Sequence, residues 1–219
     1  MRIYLRLSRN QKVIPFTYQE LLVGVIHKWI GSDNVIHGKS GQYSFSWIQN
    51  TSATKEGINL GYNSYFFVGS LSDALIKTII KGIRENPEMF CGVKVTDIQI
   101  KNIPDFGKSE RFLMASPVLL KIKAEDKIRH VTLLDKDFEE ILTNNLKRKL
   151  EKAELSSEGF SITLNPDTDY RKTKLVTYKG IENKTSLAPI IINGTQEQIA
   201  FVWCNGLGNS TGIGFGAIK

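Results

Sequence analysis

SDALIKTIIKGIRENPEMFCGVKVTDIQI, from Ser72 to Ile100, changes its period halfway. Up to Glu85 its apolar residues fall on one face of a helix, with Ser72 or Ser70 as the cap and Pro87 beyond the end. After Pro87 the spacing shortens, and Val93, Val95, Ile98 and Ile100 predict a strand. Working back toward the start, Tyr65–Val68 and Gln42–Gln49, with Tyr43, Phe45 and Trp47 alternating, predict two more strands. Before them, TYQELLVGVIHKWI (Thr17–Ile30) places Leu21, Leu22, Val25 and Trp29 at helical spacing. Thr17 stands as N-cap, with Glu20 three residues on as in a capping box. Met1–Leu7 alternates Ile3, Leu5 and Leu7, a first strand. The order is β-α-β-β-α-β, a ferredoxin-like (RRM-like) unit.

Working forward, Lys101–Ser116 carries Pro104, Gly107 and Lys108 and reads as a linker. Beyond it, Ser116–Ile122 predicts a strand and Asp135–Lys152 a long helix. Phe160–Leu164, Lys174–Tyr178 and Pro189–Asn193 look extended, Gln196–Trp203 has helical length, and Gly212–Ile218 predicts a last strand. The expectation is an α+β protein of two tandem ferredoxin-like units, the second degenerate. Residues 1–110 form the first and 115–219 the second.

Composition excludes several classes. At 41% hydrophobic and 23% charged the chain has material for a core. Its apolar runs (LLVGVI, SPVLL) fall far short of the ~18 residues of a membrane span, and MRIYLRLSRN lacks the features of a signal peptide. Cys91 and Cys204 are isolated from each other and from any histidine pair. The expectation is a cytoplasmic protein with reduced thiols, no structural zinc, no cofactor and no membrane partner. The net charge of +7 is concentrated in two segments. Asn145–Lys152 holds Lys147, Arg148, Lys149 and Lys152 against Glu151. Tyr170–Lys184 holds Arg171, Lys172, Lys174, Lys179 and Lys184 against Glu182. These cancel to +3 and +4, and the remainder nets to zero. A localised excess points to a polyanion, with Lys147, Arg148, Arg171, Lys172 and Lys174 as its contacts. A solvated helix face and a basic hairpin would give the same counts.

The chain ends in GLGNSTGIGFGAIK, with five glycines between Gly206 and Gly216. A dinucleotide fingerprint fails because Thr211 stands at the third glycine position and too few residues follow for a helix and a strand. Gly38-Lys39-Ser40 is no phosphate loop, because Asp33 occupies the position of its first glycine. The spacing that does match is Gly206-Leu207-Gly208, five residues, then Gly214-Phe215-Gly216. This resembles the C-terminal signature of the repeat-associated RNA-binding superfamily of CRISPR systems. With the RIYLRL strand, the GVIHKWI helix and the SPVLLK strand, the whole chain resembles the CRISPR-associated endoribonucleases that cut repeat RNA into guide RNAs. Gly206, Gly208, Gly212, Gly214 and Gly216 allow backbone conformations closed to other residues. Asn209, Ser210 and Thr211 add small polar groups. Such a loop, with N–H groups exposed, forms an anion-binding concavity suited to an RNA backbone; a tight hairpin needed only for its geometry would look the same.

The resemblance implies catalytic groups on the first helix and the loop after it. His27 and His37 fall there, with Lys39 close to where a basic residue assists. Metal-free RNA cleavage uses the ribose 2′-OH as nucleophile, a base to take its proton, an acid for the departing 5′ oxygen and a cation for the phosphate. Histidine suits both proton transfers. His27 near a helix C-terminus also suits the helix dipole alone. Gly24 beside it either clears room for a ligand or lets helices pack. His130, in an extended apolar stretch, reads as structural. The RNA-binding consensus of single-strand readers is absent, which argues against bases stacking on an open sheet, and no acidic cluster has two-metal spacing. The expected function is metal-independent cleavage of CRISPR precursor RNA, leaving 2′,3′-cyclic phosphate and 5′-OH ends. The alternatives are a non-catalytic RNA-binding subunit among other effector subunits, and an interaction module unrelated to RNA. A homodimer is left open.

Overall fold

The computed structural model describes residues 1–31, 43–124 and 127–219. Strand β1 (Arg2–Leu7) is central, between β4 (Ile58–Ser70) and β5 (Val95–Lys101), antiparallel to both. β2 (Tyr43–Phe45) and β3 (Gln49–Ala53) both pair with β4, giving the order β2-β4-β1-β5 with β3 on β4. Helices α1 (Gln19–Ile30) and α2 (Asp73–Glu85) cover one face. This is the predicted ferredoxin-like order, with β3 and most of β4 added. Val95 and Ile98 are three apart, and the pairing explains the slip: the register with β1 shifts between Arg6 and Leu7, a bulge that absorbs one residue.

Ser72 caps α2 as expected, its hydroxyl accepting from the Leu75 N–H at 3.3 Å. Thr17 does not cap α1. The helix begins two residues later, Tyr18 holds the N-cap position, and no side chain caps it. Leu22, Val25, Ile26 and Trp29 of α1 meet Leu75, Ile76, Ile79 and Ile83 of α2 over Ile3, Leu5 and Phe66. Trp29 lies nearly parallel to Phe66, centroids 6.3 Å apart. Gly82 permits the helices this approach, since a Cβ there would sit 2.4 Å from the Trp29 carbonyl oxygen.

The second unit is ferredoxin-like with its sheet broken into pieces. β6 (Ser109–Phe112), β12 (Ile190–Asn193) and β9 (Ser161–Leu164) form a three-stranded sheet in the order β6-β12-β9. Separate hairpins are made by β7 (Leu120–Ala124) with β8 (Lys127–Val131), and by β10 (Lys172–Tyr178) with β11 (Ile181–Leu187). α3 (Phe138–Lys152) and α4 (Gln196–Asn205) pack Phe138, Leu142, Leu146, Ile199 and Val202 on Ile162, Ile190 and Ile192. The supposed linker contains β6. The predicted strand at Gly212–Ile218 is replaced by a 3-10 turn at Thr211–Ile213 and one isolated bridge from Ile218 to Met114. Gly214 and Gly216 have φ of +88° and +70°, so alternation of Ile213, Phe215 and Ala217 cannot become extended chain.

The units meet through Arg2 and the glycine-rich segment. Buried Arg2 lies over Phe67 (4.2 Å) on one side and Trp203 of α4 (3.8 Å) on the other, and donates to the Trp203 carbonyl. No helix among the described residues is long and apolar enough to cross a membrane.

Candidate nucleic-acid interface

The glycine-rich segment is a joint before it is a loop. Gly206 ends α4 with φ +77°, its N–H donating to the Val202 carbonyl. Leu207 N–H donates to Gly216, Gly216 N–H to Pro117 and Asn209 N–H to Leu119, each within 2.8 Å. The first unit grips the same segment: Gln19 Nε2 donates to the Ile213 carbonyl, Tyr43 Oη to Gly212 and Trp47 Nε1 to Gly214. Added Cβ atoms at Gly208 and Gly216 would lie 2.4 and 2.0 Å from the Leu119 and Leu207 carbonyl oxygens. Gly206, Gly208, Gly214 and Gly216 are all buried. The N–H groups of Gly206, Leu207, Asn209, Ile213, Gly214 and Gly216 bond to carbonyls of the protein. These six donors hold the fold, and what faces outward is Asn209, Ser210, Gly212 and Ile213.

Beside Asn209 and Ser210 the last turns of α3 complete a concavity of about 310 Å³ lined by Lys121, Arg148, Lys149, Lys152 and residues 209–211. Asn209 positions one wall, its Oδ1 accepting from the Lys121 N–H at 2.8 Å. Three of the bases stand at the C-terminal end of α3, where the helix dipole favours cations. Among the described residues no carboxylate lines the site, so the cations have no acidic partner there. Burial pushes the Lys149 ammonium down to about 8, and desolvation lowers Lys121 as well. Arg148 and residues 209–211 of the sequence-predicted set therefore come together. Lys147 is half-buried on α3 outside this concavity.

Arg171, Lys172 and Lys174 stand on or beside the β10–β11 hairpin, exposed and separate from the α3 site. Lys174 lies over the Trp47 ring at 4.6 Å and lines a second cleft with Phe16, Tyr18, Gln19 and Leu175. Desolvation lowers its pKa too. His27 is exposed near the end of α1, and at Gly24, one turn earlier, an added Cβ would meet nothing within 4 Å. Gly24 thus serves an open face beside His27; the helix-packing glycine is Gly82. His37 and Lys39 lie outside the described residues. His130 sits half-buried on β8 opposite Lys121, its pKa lowered by desolvation and by Lys121 and Lys184.

The family model described as CRISPR associated protein Cas6, C-terminal, matches residues 101–219, more than half of the chain. The chain belongs to the Cas6 family. It is 27% identical over 242 residues to the CRISPR-associated endoribonuclease-like protein Cas6 of Pyrococcus furiosus, covering 100% of this chain and 98% of that one. To the Cas6nc protein of Pyrococcus horikoshii it is 25% identical, covering 100% and 99%. The solved structure of a Cas6-related protein from P. furiosus superposes with a TM-score of 0.85 at 26% identity, covering 100% and 97%. The glycine-rich segment, at the joint between the units, lies within the matched residues. Lys121 was missed in the sequence because it lies on β7, remote in the chain from α3; the fold and the Asn209 contact bring the two together.

Proposed function

We propose that this chain is an endoribonuclease that cuts CRISPR repeat RNA in precursor transcripts, without a metal ion, to release guide RNAs. The observation that carries the reading is the unpaired basic concavity of α3 and Lys121, built against the glycine-rich segment of a Cas6-family chain. Cations without carboxylate partners are suited to phosphates. Asn209 and Ser210 supply direct contacts, and the buried glycines supply the shape that presents them. Arg171, Lys172 and Lys174 extend the charged track along the hairpin.

His27, with His37 and Lys39 on the segment that follows α1, forms the reacting set. One histidine takes the proton of the 2′-OH. The freed oxygen attacks the adjacent phosphorus, and the bond to the 5′ oxygen breaks as the other histidine protonates it. The products are a 2′,3′-cyclic phosphate and a 5′-OH, with Lys39 offsetting charge on the phosphate oxygens. Exposure of His27 beside the open face at Gly24 leaves space for a backbone to approach.

The test is incubation with the repeat RNA of the source genome in EDTA, with product ends mapped. Cleavage once per repeat is expected. A 2′-deoxyribose just upstream of the cut should leave binding intact and stop the reaction. The double variant His27→Ala, His37→Ala should slow cleavage by on the order of 100-fold or more. Full-rate cleavage by that variant would overturn the catalytic set. Tight repeat binding with no cleavage by the unmutated protein would instead mark a non-catalytic subunit.

A further inference from the structure

Lys149 stands on the face of α3 that closes the basic concavity, between Asn145 one turn back and Lys152 at the helix end. It is half-buried, while Arg148 and Lys152 are exposed and Lys121 comes across from β7. Three cations thus surround a fourth, and the facing residues 209–211 bring no charge. Glu151, the carboxylate on the same turn, accepts from Ser157 Oγ at 2.7 Å instead of lining the site. His130, opposite Lys121 in the β7–β8 pairing, is held toward its neutral form by desolvation and by Lys121. Burial and like charge both favour a free amine over an ammonium, and burial pushes Lys149 down to about 8. Asn145 is buried, and among the described residues its Oδ1 has no hydrogen-bond partner. The concavity therefore joins a nucleophile, cations without acids and an unmatched acceptor.

We propose that Lys149 is a site of acylation by acyl phosphates, with Lys121, Arg148 and Lys152 as the clamp for the donor's phosphate. The free amine attacks the acyl carbon, and the bond from that carbon to the phosphate oxygen breaks. The phosphate leaves with the bonding electrons and takes up the proton released by the nitrogen. The products are an amide at Lys149 and inorganic phosphate, with no oxidant or further co-reactant. The cations bind the donor's phosphate, offset charge on the leaving oxygen and hold the acyl carbon beside the amine. The new amide keeps one N–H, and Asn145 Oδ1 on the same helix face is an acceptor for it. Acylation removes one of the four positive charges. It therefore opposes RNA binding at this concavity, a consequence that rests on the reading of the site as a phosphate contact. The acylation itself needs no RNA.

The experiment treats the full chain, without RNA, with acetyl phosphate at pH 8 and follows each lysine by mass spectrometry. About half of Lys149 is free amine there, against well under about 1% of an ordinary lysine. Nucleophilicity falls with basicity and takes back part of that gain, so Lys149 should be acetylated about tenfold faster or more than exposed Lys77 of α2. Its rate should level off above about pH 8. Inorganic phosphate should slow acetylation of Lys149 and leave that of Lys77 unchanged. Arg148→Gln, Lys152→Gln should slow the reaction of Lys149 with acetyl phosphate several-fold, and its reaction with uncharged acetic anhydride less. Equal rates at Lys149 and Lys77, or a Lys149 rate indifferent to inorganic phosphate, would overturn the site, and neither readout depends on a variant folding. Protein acetylated at Lys149 should then bind repeat RNA more weakly, with a slope of log affinity against log salt smaller by about 0.7. Selective acetylation with RNA affinity unchanged would leave the modification site standing and overturn the concavity as an RNA contact.

Discussion

Glycines at different positions in this chain have opposite effects on the energy. Gly24 lies exposed in the middle of α1 with open space around it, so alanine there should stabilise the protein by about 0.5–1 kcal/mol through helix propensity. Gly216 has φ +70° and a carbonyl oxygen 2.0 Å from any Cβ, so alanine there should cost several-fold more than that gain, or prevent folding. Denaturant midpoints of the two variants should move in opposite directions. If Gly24→Ala also slows cleavage while RNA affinity holds, the open face beside His27 is where substrate passes. Lys149 contributes a pH dependence. Its folded pKa of about 8 lies below the ordinary lysine value of 10.5. Its share of stability is therefore fully present above about 10.5 and lost as the pH falls through about 8. A phosphate beside it favours the ammonium, so RNA binding near pH 9 should take up protons, seen in calorimetry as a dependence on the buffer's ionisation heat. Lys149→Met should reduce that uptake, weaken binding and raise the thermal midpoint at pH 7. An unchanged buffer dependence would separate Lys149 from the RNA.

Among elements, those with a clean apolar period were legible and those that bury polar groups were not. α2 and β1 match their predicted spans within a residue or two, since their apolar faces and the Ser72 cap are local signals. β11 was invisible because its pattern is inverted. It buries Asn183 and Thr185, whose side chains bond to the Val176 and Lys174 carbonyls, and exposes Ile181. The end of the chain misled in the opposite way, with strand-like alternation on residues whose positive φ forbids a strand. At the site, the charge run on α3 could be read directly. Its convergence with Lys121 and Asn209 could not, because strand, helix and loop are brought together only by folding. The β10–β11 hairpin gives this scale its prediction. Removing Arg171, Lys172 and Lys174 together should reduce the slope of log affinity against log salt by about 2, since each phosphate contact on a single strand contributes about 0.7. An unchanged slope would take the hairpin out of the RNA path.

At the scale of the whole molecule, the two units are held by a cation that has no carboxylate partner among the described residues. Arg2 is fully buried between Phe67 of the first unit and Trp203 of the second, and among the described residues its Nε and Nη1 have no hydrogen-bond partner. Burial works against the charge, while two ring faces and the Trp203 carbonyl work for it. The desolvation of a buried ion commonly exceeds what its partners return, and replacing it by an apolar side chain of similar volume is often neutral or stabilising. Arg2→Met should therefore unfold in one transition at or above the midpoint of the parent. Arg2→Ala removes the same charge but leaves a cavity between Phe67 and Trp203, and should lose on the order of 3 kcal/mol. The order Met, Arg, Ala in thermal midpoint would assign the joint to packing. A methionine variant as unstable as the alanine variant would assign it to the cation–ring contacts instead. The same pair reports on function: if the joint sets the shape in which Asn209 and Ser210 meet Lys121, Arg2→Met should keep repeat-RNA affinity within a few-fold, and Arg2→Ala should lose it at temperatures where the protein is still folded.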